Sequence, residues 1–252
     1  MDINITTFLI VCPMVFLAAL IDSIAGGGGI IALPAYMAAG VPPHYALGCN
    51  KLSSCMGTII STFRYVKNGA ADLKIAPASV VLALAGSAIG ANLALLVDES
   101  YLKGLLIFVL PIVAFCVLRK NSFTESEEDI TVNRKQQVII ALAASFIIGG
   151  YDGFYGPGTG TFLILILTGL AKMDIRNASG NTKLVNLASN LAALVTFMIN
   201  GKVLFLLSIT AGIFGIVGNY IGSGLVLNGG TKVVKPVMLI VLFLLFIKIV
   251  TE

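Results

Sequence analysis

Apolar segments long enough to cross a bilayer recur along the chain, separated by a few short polar stretches. A span needs about 20 apolar residues because the hydrocarbon core is about 30 Å thick. In the first half the pattern predicts helices over residues 5–24, 30–40, 45–66, 75–97 and 102–118. In the second half it predicts helices over 138–150, 161–171, 178–199, 203–227 and 233–250. The pattern is typical of an all-α polytopic membrane protein.

Glycine clusters interrupt this apolar pattern once in each half. Gly26–Gly29 follow the first predicted helix, and the segment 149–160 ends the helix that starts at 138. A glycine inside a helix costs about 1 kcal/mol relative to alanine, so a run of them is predicted to break the helix. Broken backbone is tolerated in a membrane only where protein or a water-filled cavity satisfies it. Each break is a candidate binding site, with a tight turn or close helix packing as the alternative.

The two halves repeat each other in spacing. An offset of 132 residues relates the pairs Ala46/Ala178, Lys51/Lys183, Asn68/Asn200, Gly86/Gly218 and Gly90/Gly222. An offset of 130 relates Asp22/Asp152, Gly26/Gly156 and Gly28/Gly158. Interrupted helices at matching places in two halves indicate a transporter site, whereas the small-xxx-small pairs predict helix-packing faces. The chain is divided into an N-terminal repeat (1–118), a hydrophilic linker (119–137) and a C-terminal repeat (138–252).

Two topologies fit this repeat. Either each broken segment crosses the membrane once and the repeats are parallel, or it is a re-entrant hairpin and the second half is inverted. Basic residues near span ends gather on the cytoplasmic side. The hairpin arrangement divides the relevant Lys and Arg residues eleven to three, and the single crossing divides them nine to five. The sequence therefore favours an inverted repeat, with both termini outside and the 119–137 linker in the cytoplasm.

The composition excludes several classes of protein. Hydrophobic residues make up 58% of the chain and charged residues 11%, whereas about a quarter of a soluble domain is charged. The net charge of +4 is explained by basic loops, so we expect no nucleic-acid partner. Cys12, Cys49, Cys55 and Cys116 lack metal-ligand spacing and are predicted to be buried thiols, and His44 is predicted to be a solvated turn residue. We expect no catalytic residues, no metal and no cofactor.

Lys51 and Lys183 are the strongest individual candidates for function. A cation near the bilayer centre costs about 2.5–3.5 kcal/mol on insertion scales, so it normally faces the bundle interior and has a partner. The alternative is that each side chain extends to the membrane interface. Recurrence at matching positions in both halves favours the interior.

These residues resemble the TauE/SafE family of sulfite and organosulfonate permeases. The resemblance covers nearly the whole chain and rests on the glycine-rich break, the short helix with Pro34, the segment 46–52 and its counterpart 178–184. It implies two related halves. It also implies more membrane spans in each half than the re-entrant hairpin arrangement gives, unless each broken segment is counted as a span. It also implies a transporter in the cell membrane for small sulfur-containing anions such as sulfite, thiosulfate, sulfoacetate and other sulfonates.

We expect the two breaks to hold such an anion near the midplane. Backbone N–H groups and positive helix ends would bind it, and glycine lets it come close because no Cβ is in the way. Asn50, Asn181 and Thr182 would donate hydrogen bonds, and Lys51 and Lys183 would supply charge. The predicted substrate-binding glycines are Gly26, Gly27, Gly28, Gly29, Gly156, Gly158 and Gly160.

Asp22 and Asp152 precede the two breaks and have two interpretations. Each is either a counter-ion or proton carrier for coupled transport, or a local cap on exposed glycine N–H groups.

The expected partners are a small anionic solute and the lipid bilayer. A carboxylate, an inorganic oxyanion or a metal cation is the alternative solute. The sequence leaves open the substrate, the direction, the coupling ion and the oligomeric state, for which a homo-oligomer is one option.

Overall fold

The structure is a computed structural model that describes residues 4–98, 132–230, 232–234, 236–237 and 239–240. Within these ranges the regular elements are helices, without a strand, which confirms the predicted all-α class. The helices are α1 (Ile5–Ala25), α2 (Gly29–Ala38), α3 (Pro43–Lys67), α4 (Ala76–Leu96), α5 (Arg134–Phe154), α6 (Thr159–Gly169), α7 (Ile175–Ile199) and α8 (Phe205–Gly229). The predicted helix 102–118, residues 119–131 of the predicted linker and most of the predicted helix 233–250 lie outside the described residues.

Large apolar side chains lie on the outside of the bundle, and charged side chains lie in its interior beside an apolar core. In the described ranges α1, α4, α5, α7 and α8 are long and apolar enough to cross a membrane. Large apolar side chains cover the outside, where Leu96 is 81% and Ile199 is 80% exposed. The interior holds charged groups, among them Lys51, Asp152 and Lys183. This arrangement defines a multi-pass integral membrane protein.

The two halves interlock instead of lying side by side. The first helix of each half packs against the fourth helix of the other, α1 against α8 and α5 against α4, while α3 contacts α7. Small residues permit this approach, since a Cβ at Gly90 would lie 2.0 Å from Gly150 O and one at Gly218 would lie 2.4 Å from Phe16 O. The predicted helix-packing role of the small-xxx-small pairs is therefore confirmed.

The central helices α3 and α7 run antiparallel. A Cβ at Gly48, near the start of α3, would lie 2.1 Å from the carbonyl oxygen of Lys202, which follows α7. A Cβ at Gly180, near the start of α7, would meet the carbonyl oxygen of Ala70, which follows α3. This one pair of equivalent helices therefore points in opposite directions.

Helix α8 shows how the chain passes through the first break. Gly215 lies against both Val15 of α1 and Ser53 of α3, and about two turns later α8 lies against Ser23 and Arg64. Helices α1 and α3 therefore run in the same direction, and α2 returns the chain to the side where α1 begins. This course supports the re-entrant hairpin, while inversion of the complete half stays a prediction.

Helix α5 differs from its predicted bounds at both ends. It begins at Arg134, inside the predicted linker, because Asn133 and Gln136 form a capping box around the first turn. It continues to Phe154 instead of breaking at Gly149. A Cβ at Gly149 would lie 2.9 Å from Cα of Ala83, so this glycine serves helix packing. The break is limited to residues 155–158.

The prediction that His44 is a solvated turn residue is wrong. The prediction that the cysteines are buried thiols is confirmed for those that the structure describes. His44 lies in the first turn of α3 and is 9% exposed. Its Nε2 lies 3.1 Å from the carbonyl oxygen of Ala94, near the end of α4, so packing of α4 removes it from solvent. Cys12, Cys49 and Cys55 are buried free thiols, and Cys116 lies outside the described residues.

Candidate functional site

The two helix breaks touch each other inside the bundle. Gly26 has a left-handed φ of +68°, and a Cβ there would lie 2.3 Å from Cα of Gly160. The hydroxyl of Thr161 donates to the carbonyl oxygen of Ala25 at 3.0 Å and also to that of Gly26. The end of α1 is therefore bonded directly to the start of α6.

Short-range hydrogen bonds hold the shape of each break. In the first break Asp22 Oδ1 accepts from the backbone N–H groups of Gly27 at 3.2 Å and Gly28 at 3.4 Å. In the second break the hydroxyl of Tyr151 donates to the carbonyl oxygen of Pro157 at 2.6 Å. The capping interpretation therefore applies to Asp22, in addition to the ion pair described next.

Two ion pairs cross from one half to the other. Lys51 Nζ of α3 lies 3.0 Å from Asp152 Oδ1 of α5, and Lys183 Nζ of α7 lies 2.8 Å from Asp22 Oδ2 of α1. Each lysine also donates to the backbone carbonyl of its aspartate, near the C-terminus of the broken helix. A cation is favourable there because the last carbonyls of a helix carry partial negative charge.

Both lysines are fully enclosed. Their side chains are 1% exposed, so neither extends to a membrane interface. Removing one partner of such a pair leaves a buried charge uncompensated, which costs about 3–5 kcal/mol. The pairs therefore join the halves firmly and leave no net charge from these four side chains.

A small polar cavity, here called the central cavity, lies where the breaks meet. Its volume is about 20 Å³, enough for one water molecule. Helices α2 and α6 both begin at its wall, which directs two helix N-termini towards it. Its lining consists of Asp22, Gly27, Gly29, Asn50, Ser54, Asp152, Gly156, Thr159, Gly160, Asn186 and Asn190.

The predicted site residues fall into three groups in the structure. Seven line the central cavity: Asp22, Gly27, Gly29, Asn50, Asp152, Gly156 and Gly160. Five lie beside it, as parts of the breaks or behind the carboxylates: Gly26, Gly28, Lys51, Gly158 and Lys183. Asn181 and Thr182 are buried in α7 away from the lining, and Asn181 Nδ2 donates to the carbonyl oxygen of Asn177 at 2.8 Å.

Four lining residues were not among the predicted site residues: Ser54, Thr159, Asn186 and Asn190. Their spacing contains a signal, because Ser54 lies one turn beyond Asn50 and Asn186 lies one turn beyond Thr182. Ser54 and Asn186 are also related by the repeat offset of 132 residues.

Broken helices that meet at a polar cavity inside an apolar bundle define the class of this protein as a membrane transporter. The sequence profile described as "Sulfite exporter TauE/SafE" matches residues 11–249. The chain belongs to this TauE/SafE family and is a multi-pass protein of the cell membrane.

Three relatives extend over most of the chain. The probable membrane transporter protein ORF9 of Sinorhizobium is 34% identical over 99% of this chain and 94% of its own length. YfcA of Escherichia coli K12, also a probable membrane transporter protein, is 34% identical over 89% of this chain and 82% of its own length. A probable membrane transporter protein of Haemophilus influenzae is 32% identical over 100% of this chain and 98% of its own length. No solved structure matches the chain.

Proposed function

We propose that this protein is a secondary transporter of small sulfur-containing anions, such as sulfite, thiosulfate or organosulfonates, and that the anion binds in the central cavity. The observation that carries the proposal is the meeting of two helix N-termini, α2 and α6, at one polar cavity. Exposed N–H groups at a helix start and the helix dipole both favour an anion. A sulfonate has three acceptor oxygens. These oxygens suit convergent donors from the two breaks and from the side chains of Asn50, Asn186 and Asn190.

The anion must compete with the two carboxylates for the lysines. In this conformation Asp22 and Asp152 line the cavity, while Lys51 and Lys183 are bonded behind them. The cavity has room for about one water molecule. Each of the proposed anions has at least four non-hydrogen atoms, so this conformation is closed to them. Opening has to enlarge the cavity, and binding has to move at least one lysine from its aspartate to the anion. Protonation of that aspartate would keep the charge balanced and couple transport to the proton gradient.

A metal cation is the second candidate solute, and the two carboxylates in the lining favour it. Cation sites in proteins use several oxygen ligands, usually with more than one free carboxylate. Here each carboxylate is already paired with a lysine, and the described residues contain no group of three or more His, Cys, Asp or Glu side chains that could hold a metal. The pairing favours an anion.

Thermal unfolding of the purified protein against a panel of solutes tests the substrate class. A ligand that binds the folded form raises the unfolding midpoint by mass action. We expect sulfite, thiosulfate or methanesulfonate to raise it, and acetate, malonate, Co²⁺ and Ni²⁺ to leave it unchanged. Stabilisation by a divalent cation alone would contradict the proposal.

Flux into proteoliposomes tests the role of the lysines. Lys51→Met combined with Lys183→Met should abolish uptake of the stabilising anion. Lys67→Met is the matched control, because Lys67 is exposed at the end of α3 and should leave uptake unchanged. Full uptake by a well-expressed double variant would contradict an anion site that uses lysine charge.

A further inference from the structure

The two ion pairs are related by the sequence repeat but differ in their surroundings. The Asp152 side chain is 5% exposed and the Asp22 side chain 19%, whereas their lysine partners are equally buried. Pairs that performed the same task in both halves would be expected to have the same environment. The difference therefore points to a division of roles.

Asp152 has three side-chain donors around its carboxylate. Lys51 Nζ and the Thr159 hydroxyl each lie 3.0 Å from Oδ1, and the Ser189 hydroxyl lies 2.6 Å from Oδ2. The Thr159 hydroxyl has a single proton, which it shares between Asp152 and the carbonyl oxygen of Gly156 at 2.6 Å. Hydrogen bonds of this kind stabilise the ionised form, and a proton on Asp152 would weaken all three.

Asp22 lacks the two hydroxyl donors, and the sequence explains why. Counterparts of Thr159 and Ser189 in the first half are Gly29 and Gly57, which have no side chain to donate. Within the described ranges, the Asp22 carboxylate accepts from Lys183 and, over longer distances, from the backbone N–H groups of Gly27 at 3.2 Å and Gly28 at 3.4 Å. A proton on Asp22 therefore costs weaker interactions, because its two donors other than the lysine lie farther from the carboxylate than those of Asp152.

Asp22 also borders a second space, here called the side cavity. This cavity of about 20 Å³ lies among α1, α2, α3 and α8, and it shares Asp22, Gly29, Asn50 and Ser54 with the central cavity. Asn219 lies in its wall with a buried Oδ1 that has no hydrogen-bond partner in the described part of the chain. Asp22 therefore has room for water on two sides, whereas Asp152 lines the central cavity and is not in the wall of the side cavity.

We propose that Asp22, and not Asp152, is the carboxyl group that takes up and releases a proton, and that its protonation frees Lys183 for the transported anion. In the described part of the chain, the titratable groups that face Asp22 are Lys183 of α7, Tyr65 of α3 and, across the central cavity, Asp152. The Tyr65 hydroxyl itself donates to the carbonyl oxygen of Ser23. A proton from the aqueous phase binds a carboxylate oxygen of Asp22, the lysine ammonium keeps its own protons, and the anion takes the place of the carboxylate. Release of the anion and the proton on the opposite side restores the pair. Lys51 and Asp152 stay paired throughout.

This inference rests on the proposed function, but infrared difference spectroscopy tests it without any substrate. Acidification of the purified protein in lipid should produce the carbonyl band of a buried protonated carboxylic acid. Asp22→Asn should remove this band, and Asp152→Asn should leave it. Loss of the band in Asp152→Asn with retention in Asp22→Asn would overturn the inference.

A second variant tests the cause of the asymmetry. Thr159→Val with Ser189→Ala removes both hydroxyl donors and should add a second carboxylic-acid band that disappears when Asp152→Asn is added. Absence of that band would contradict the explanation from hydroxyl donors and overturn the assignment of roles.

Transport measurements distinguish a failure of this inference from a failure of the proposed function. With one proton for each monoanion, a pH gradient of one unit should drive about tenfold accumulation in proteoliposomes. Asp22→Asn should exchange anions across the membrane without accumulation, and unaltered accumulation by this variant would overturn the inference. No anion flux through the unaltered protein, with the Asp22 band present, would contradict only the proposed function.

Discussion

At the scale of single residues, the Lys51–Asp152 pair has a measurable role in stability. Lys51→Met leaves the Asp152 carboxylate buried, with only its hydroxyl donors as partners. We therefore expect the free energy of unfolding to fall by about 3–5 kcal/mol. Lys51→Met with Asp152→Asn removes both charges and should recover part of that loss. Thermal unfolding in detergent measures both variants. A double variant that is less stable than Lys51→Met would contradict this account.

The two pairs should differ when each lysine is removed alone. Lys183→Met leaves Asp22, which is 19% exposed and borders two cavities, so water can solvate the unpaired carboxylate. We expect Lys183→Met to lower the unfolding midpoint less than Lys51→Met does. Lys67→Met, at the exposed end of α3, is the control and should change stability by no more than about 0.5 kcal/mol. Equal losses for the two buried lysines would show that the environments of the pairs do not matter.

The charged residues of the site could be predicted from the sequence, but their partners could not. A buried charge in an apolar segment is conspicuous, and Lys51 and Lys183 recur at matching positions. Which aspartate each lysine meets depends on how the halves interlock, and no local pattern encodes that. Ser54 and Thr159 were missed because hydroxyl residues are common inside membrane helices, where they bond to the preceding turn.

At the scale of elements, contact between the two breaks depends on the absence of a side chain at Gly26. A Cβ there would lie 2.3 Å from Cα of Gly160, and the left-handed φ of +68° adds strain for any other residue. Gly26→Ala should separate α1 from α6, lower the unfolding midpoint and abolish transport. Thermal unfolding and proteoliposome flux measure these effects.

Gly69 provides a matched control for that substitution. It has a φ of +64°, and a Cβ there would meet nothing within 4 Å. Gly69→Ala therefore introduces the strain of a positive φ, about 1–2 kcal/mol, without the steric contact. We expect Gly69→Ala to retain transport. Equal loss of transport in both variants would assign the effect to backbone strain and not to contact between the breaks.

The described helices could be predicted from the hydrophobic pattern, but the limits of the second break could not. Gly149 lies within α5 because backbone contact with Ala83 of α4 holds it there. Glycine therefore breaks a helix at one position and allows close helix packing at another. Which of the two occurs depends on a neighbour that is distant in sequence. The start of α5 at Arg134 had a local signal in Asn133 and Gln136.

At the scale of the whole molecule, the helix directions suit a transporter that opens to alternate sides. Because α3 and α7 are antiparallel and pack at the centre, a movement that opens one end of this contact closes the other. The crossed ion pairs join α3 to α5 and α7 to α1, and they connect the halves in this conformation. Release of Lys183 from Asp22 would weaken that junction when the solute binds.

Asn68 and Asn200 give a direct test of the inverted repeat. They are counterparts under the offset of 132 residues, and both are exposed directly after the equivalent helices α3 and α7. In an inverted repeat such counterparts lie on opposite sides of the membrane, whereas in a parallel repeat they lie on the same side. We expect Asn68 to be cytoplasmic, because basic residues near span ends gather on that side.

The experiment introduces Asn68→Cys or Asn200→Cys into a chain whose four cysteines are replaced. An impermeant maleimide added to intact cells should label the Asn200→Cys variant and not the Asn68→Cys variant, and inside-out vesicles should give the opposite result. A permeant maleimide should label both, which controls for reactivity. Labelling of both variants from the same side would contradict the inverted repeat. It would also remove the basis for alternating opening about the contact between α3 and α7.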